Sequence, residues 1–294
     1  MDARGFACGA GKLCLPRNIA GGFGRGRVGA PTLSPPIMTI ALLMGTAGAC
    51  TSTPLDTATI APNNLASGLV AHWTFDDNAG STAQDSSGNG RDASVFGPGW
   101  GWTNGHFYGA LQLSGADQVT VGGGFGFPAP TANYSVSAWL NVATTDPEPP
   151  VASMISNEVP WGAGPPGGWS LSLDAPGPGA GPAGRYRFTF WFGQQPDTFV
   201  EATCDCVLFD QWVHLAAVID ATNATLTFFV AGQARQQVPI PRGIFPAPGP
   251  LYMGRWPQPG HLLAGMLDDV AIYARALVPE EIILLSYAPA PNPM

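Results

Sequence analysis

The sequence predicts an all-β fold, two antiparallel sheets packed face to face, on three observations. Glycine supplies 39 and proline 30 of the 294 residues, and both are poor helix formers. Short runs of β-branched and aromatic residues recur between turn-forming clusters. Several runs alternate apolar and polar residues, so each has one face to bury, and stacking two sheets buries all such faces at once. With 45% hydrophobic residues, 15 Phe and 9 Trp, there is ample material for a core.

Taken in order, the first 50 residues read as an address. Ile37–Ala49 is an apolar run too short for a membrane-crossing helix, which takes about 20 residues. It suits the central segment of a secretory signal. Arg25 and Arg27 supply a positive flank, Ala47-Gly48-Ala49 offers a small-residue cleavage site, and Cys50 follows at once. This end resembles the lipobox of bacterial lipoproteins, in which cleavage exposes a cysteine that takes lipid. Ala47 stands where such proteins usually carry Leu, which leaves ordinary signal cleavage as the alternative. The expectation is export, to the outer membrane or cell surface as a lipoprotein, otherwise to the periplasm or medium. Residues 51–66, rich in Ser, Thr, Pro, Asn and Ala, read as a flexible tether.

From Leu69 strands are expected at 69–75, 92–96, 110–113, 118–121, 134–142, 169–173, 185–192, 198–202, 212–220, 225–230 and 266–273. Turn signals such as Ser86-Ser87-Gly88-Asn89-Gly90 separate them. In one strand a single face takes Tyr134, Val136, Ala138 and Leu140; in another it takes Tyr186, Phe188 and Phe190. The stretch 145–184 is rich in Pro and Gly and reads as one strand set between enlarged loops. Pro279–Leu285 predicts a short helix, with Pro in its first turn and Glu280 and Glu281 facing its positive end. Residues 288–294 form a Pro-rich tail. The β-domain is therefore expected over 67–287.

Only 12 residues are basic against 20 acidic. Five basic residues and one acid precede residue 50, which leaves seven basic against nineteen acidic groups, a net charge of −12. Such a body repels nucleic acid. Of five cysteines, Cys8 and Cys14 fall in the leader and Cys50 is the lipidation candidate. Cys204 and Cys206 share a strand face and would pair as a disulfide in an oxidising compartment.

Several blocks together resemble the laminin G-like, concanavalin A-like lectin/glucanase jelly roll. They are Leu69–Asp76, Asp85–Ala93, Gly109–Gly115, Tyr134–Trp139, Gln211–Asp220 and Gly265–Leu277 with Glu280-Glu281-Ile282. The resemblance covers about residues 67–287 and implies a two-sheet sandwich closed by a short C-terminal helix. It also implies Ca²⁺ held by the Asp85–Asp92 loop and the last strand, hence by Asp85, Asn89, Asp92 and Asp268, with Asp76 a weaker candidate. The alternative for that loop is a turn built by Asx and Gly chemistry without metal. His214 matches a family strand position and reads as structural.

Sugar binding uses exposed aromatic rings. Trp161, Trp191 and Trp256 are the candidates, with Trp100 and Trp102 as a second platform, whereas Trp73, Trp139 and Trp212 are expected in core strands. A retaining glycosidase needs two carboxyl groups about 5 Å apart. No E-x-D-x-x-E triplet occurs, and the neighbours Asp268 and Asp269 would point to opposite faces of a strand. The expected function is therefore a non-catalytic, surface-exposed binding module for carbohydrate or adhesion, with calcium dependence implied by the resemblance. The alternatives are an envelope protein that binds a cell-surface protein or serves structurally, and a glycan-cleaving enzyme of the same fold class. Membrane contact is expected only through a lipid on Cys50.

Overall fold

Alternation in the sequence becomes two sheets that share one core. The computed structural model describes residues 65–122, 133–144, 151–157, 168–176, 184–191, 199–241, 250–255 and 262–290. Cys50, Trp161 and Trp256 lie outside the described residues. Strand β1 is Leu69–Trp73, β2 Thr82–Ala83, β3 Ala93–Phe96, β4 Gly101–Asn104, β5 Gly109–Ser114, β6 Gln118–Val121, β7 Tyr134–Val142 and β8 Val151–Ser156. Strand β9 is Gly168–Asp174, β10 Arg185–Trp191, β11 Phe199–Cys204, β12 Trp212–Asp220, β13 Thr225–Val230, β14 Gln233–Pro239, β15 Leu251–Met253 and β16 Ala264–Tyr273. One helix, α1, spans Pro279–Leu285.

The first sheet runs β14-β13-β12-β7-β16-β5-β4, with β1 also paired to β16; the second runs β11-β10-β9-β8-β15-β6-β3-β2. The pairings are antiparallel. Period two sorts each strand. In β7, Val136, Ala138 and Leu140 enter the core, as do Val213, Leu215 and Ala217 of β12. Trp169, Leu171, Tyr186, Phe188 and Phe190 meet them from the second sheet. Trp73 is fully buried there, and its Nε1 donates to the Arg91 carbonyl at 2.9 Å. Trp73 therefore packs inward as the sequence implied. A buried Asp117 ties the stretch before β4 to the end of β5, accepting from Gly99 N at 2.9 Å and Ser114 N at 2.7 Å.

A second apolar cluster covers part of the opposite face of the first sheet. There Ile282 and Leu285 of α1 meet Ala216, Val218, Phe229 and Tyr273. Leu65, assigned to the tether above, also packs in this cluster. The helix is pinned by Glu281, fully buried, whose carboxylate accepts from both terminal nitrogens of Arg275 at 2.6 and 2.8 Å and from Val278 N at 3.0 Å. A buried carboxylate is tolerated because its oxygens are paired and hydrogen-bonded.

Three features depart from or go beyond the sequence expectations. The stretch 145–184 holds a further strand, β8, whose Met154 and Ile155 are fully buried. The β13–β14 hairpin turns on Ala231 and Gly232, both at positive φ (50° and 73°), the geometry of a two-residue type I′ turn. Its second strand is almost entirely exposed. The third concerns β16, where the register shifts between Asp268 and Ala271 and Asp269 has φ 47°. A bulge interrupts the alternation, so the argument that Asp268 and Asp269 must face opposite ways does not hold.

Candidate functional site: an aromatic pocket outside the first sheet

The parity that buries Val136 and Leu140 turns Trp139 outward, and the parity that buries Val213 and Leu215 does the same for Trp212 and His214. Trp139 and His214 are direct cross-strand partners, with ring centroids 5.5 Å apart. His106, from the turn between β4 and β5, stacks on Trp139 at 3.6 Å and 19°. Trp139 Nε1 donates to the Leu285 carbonyl at 3.1 Å, which ties the end of α1 to the sheet. Trp139 thus keeps 8% exposure, whereas Trp212 is half-buried.

Around these rings lies a cavity of about 500 Å³, walled by Trp139, Trp212, His214, Leu208, Arg235 and Tyr287 among others. Tyr287, just past α1, is 78% exposed and Leu208 49%, so the mouth is open and apolar. One wall follows the Cys204–Cys206 disulfide, through Cys206, Val207 and Leu208. The structure thus joins the two cysteines that the C-x-C spacing suggested, with their Cα atoms 5.2 Å apart. His214 Nε2 lies 2.8 Å from Ser137 Oγ. Burial, with His106 nearby, holds its pKa down at about 3, so the ring is neutral near pH 7. Burial also lowers the His106 pKa.

A second cavity of about 500 Å³ lies where α1 begins, with Asp220, Asn223, Thr227 and Gln237 in its wall. Its polar groups bond one another: Asn223 N and Nδ2 donate to Asp220 at 3.0 and 2.6 Å, and Gln237 Nε2 to Thr227 Oγ1 at 2.9 Å. It offers less to a ligand than the aromatic pocket.

The residues that the resemblance implied for calcium are each tied into the surrounding backbone. Asp85 accepts from His72 N and Ser87 N at 3.0 Å each and from Arg91 N at 2.9 Å. Burial would raise its pKa, but bonds from Ser87, His72 and Arg91 outweigh it and lower it. Asp92 Oδ1 accepts from Asp85 N at 2.9 Å, and Asn89 Nδ2 donates to the carbonyls of Leu69 and Val70 at 3.1 and 3.0 Å. Asp76 Oδ1 accepts from Gly109 N at 2.7 Å. Asp268, buried, accepts from Phe107 N at 2.8 Å, and burial together with Asp269 raises its pKa to about 7. Among the described residues no three His, Cys, Asp or Glu groups gather as a metal site. Backbone N–H groups on Asp85 and Asp92 shape the loop as an Asx-type turn.

Of the expected sugar contacts, Trp191 ends β10 half-buried, its ring 4.8 Å from that of Phe199. Trp100 and Trp102 stand edge to face at 5.9 Å, both packed partly on the core. The sequence reading placed Trp139 and Trp212 in the core and so missed the pocket. The signal was present in the face assignment itself: if Val136, Ala138 and Leu140 point in, Trp139 points out.

On the second sheet a polar row crosses the strands. Arg187 bridges Asp174 at 3.2 Å and Glu201 at 3.3 Å. Both carboxylates are thereby held by one guanidinium.

No curated protein sequence matches the chain. The family model described as "Concanavalin A-like lectin/glucanases superfamily" matches residues 113–283, more than half of the chain. The chain belongs to this superfamily. The matched span runs from the end of β5 into α1 and includes Trp139, Trp212 and Arg235. Several solved structures share the fold. Domain 4 of AbnA, a GH43 extracellular arabinanase from Geobacillus stearothermophilus solved with arabinotriose, is 21% identical at TM-score 0.53, over 74% of this chain and 98% of that one. The binding domain of Paraclostridial Mosquitocidal Protein 1 is 15% identical at TM-score 0.58. A Botulinum Neurotoxin DC binding domain in complex with SialylT is 12% identical at TM-score 0.57. For these two the match covers 76% of this chain and only 52% of the toxin domain. At these identities the likeness is one of fold.

Proposed function

We propose that this superfamily member is a non-catalytic binding module that takes a saccharide in the aromatic pocket beside Trp212. The observation that carries the reading is the open cavity walled by Trp212, Trp139 and Tyr287. Flat rings pack against the apolar face of a pyranose, and its volume suits small-ligand pockets, which span roughly 300–1,000 Å³. The arabinotriose and SialylT complexes of two fold neighbours are in keeping with this. The apolar run ending at Cys50 adds a second part to the proposal: the module is exported and displayed on a lipid anchor. Intact-mass analysis of the exported protein tests that part, and a mass with an unmodified Cys50 would end it.

The pocket is tested with a polysaccharide and glycan array probed by the exported protein and by Trp212→Ala. Saccharide binding that falls about tenfold or more in the variant is the expected result. A second reading, a protein partner, draws on the exposed Leu208, Ile283, Leu284 and Tyr287. Blank arrays with capture of an envelope protein that depends on Tyr287 would favour it.

A further inference from the structure

Arg235 stands apart from the other arginines of the described residues. Arg185 pairs with Asp205, Arg187 with Asp174 and Glu201, and Arg275 with Glu281. Arg91 donates to the Val70 carbonyl at 2.8 Å, and Arg255 to the Gln118 side chain. Arg235 is exposed and makes no side-chain hydrogen bond or ion pair among the described residues. Its place is built by the backbone. Phe228 pairs with Gln236 and Phe229 with Ala234, so Arg235 is the extra residue of a bulge in the edge strand β14. A bulge re-aims a side chain, and this one belongs to the wall of the aromatic pocket.

Among the described residues twelve line that cavity and none is a carboxylate. His214 is neutral near pH 7. Among the described residues the guanidinium is therefore the pocket's formal charge, in a chain where acids outnumber bases 20 to 12. A planar guanidinium offers paired N–H donors to a carboxylate or sulfate. Apolar neighbours such as Leu208 and Trp212 strengthen such a bond by lowering the local dielectric. The acids elsewhere are screened beyond about 8 Å at physiological ionic strength.

We infer that the saccharide taken by this pocket is anionic, its carboxylate or sulfate group held by Arg235 while a neighbouring sugar face packs on Trp212. This rests on the saccharide reading above and adds the ligand's charge to it.

The test compares matched pairs by calorimetry with the exported protein. One pair is an oligogalacturonate and its carboxyl-reduced form; the other is a sulfated galactan oligosaccharide and its desulfated form. The neutral glycans that bind on the array are measured alongside. The charged member of one pair is expected to bind about tenfold tighter or more, and which pair responds separates carboxylate from sulfate. Arg235→Gln is expected to abolish that preference and leave weak neutral binding in place, whereas Trp212→Ala weakens both members. Equal binding within both pairs overturns the inference, as does a preference that survives Arg235→Gln. Trp212-dependent binding of a neutral glycan that is tighter than that of either charged member, and unaffected by Arg235→Gln, overturns it while the saccharide reading stands. If no saccharide binds at all, the saccharide reading itself fails and takes this inference with it.

Discussion

His214 shows how one residue couples the pocket to stability. Burial holds it neutral in the fold, with a pKa at about 3, against about 6.5 in an unfolded chain. The unfolded state therefore binds a proton that the folded state refuses as pH falls between these values. Stability from this group is intact above about pH 6.5 and is lost progressively toward pH 3. Thermal unfolding of the wild type is expected to fall in temperature from pH 7 to pH 4, and that of His214→Asn to fall less steeply. Parallel slopes would show that His214 does not titrate this way. Asp85 makes a different residue-scale case. Its three backbone bonds mark it as a turn anchor, so Asp85→Ala is expected to cost about 2–4 kcal/mol in denaturant unfolding. Added Ca²⁺ or a chelator is expected to leave the wild-type midpoint unchanged. A midpoint that rises with Ca²⁺ would support the role that the resemblance implied for the loop.

Among the elements, α1 holds the pocket as well as the sheet. Ile282 is fully buried against the first sheet, the Leu285 carbonyl takes the Trp139 Nε1 hydrogen, and Tyr287 follows two residues later. Ile282→Ala is expected to cost about 2–5 kcal/mol and to weaken ligand binding even where the protein stays folded, because Trp139 and Tyr287 lose their support. Folded variant with full affinity would uncouple helix from pocket. The helix was legible in the sequence because Pro279 and the two glutamates mark its start. The buried Arg275–Glu281 pair was not, since nothing in the spacing says that Glu281 turns inward. Strand β14 was equally opaque. Its residues are exposed at nearly every position and it owes its existence to the turn at Ala231-Gly232 and pairing with β13.

At the scale of the whole molecule, period-two alternation carried most of the architecture. Four expected strands, 118–121, 134–142, 212–220 and 225–230, match their observed bounds. What alternation cannot show is where it is interrupted. The bulges at Asp268–Asp269 and at Arg235 interrupt it, and the second lies in the wall of the pocket that the sequence left unread. The pocket itself assembles β7, β12, the β13–β14 turn, the stretch after the disulfide and the end of α1. No single segment carries its signature, so it emerges only from the packed sandwich.

The central claim is that a saccharide occupies the aromatic pocket, and the most direct test is the glycan array with wild type and Trp212→Ala side by side. The account predicts a defined set of bound glycans whose signal collapses in the variant while its thermal unfolding midpoint stays close to wild type. Undiminished binding by the variant would place the site elsewhere, and the absence of any bound glycan would contradict the saccharide reading altogether.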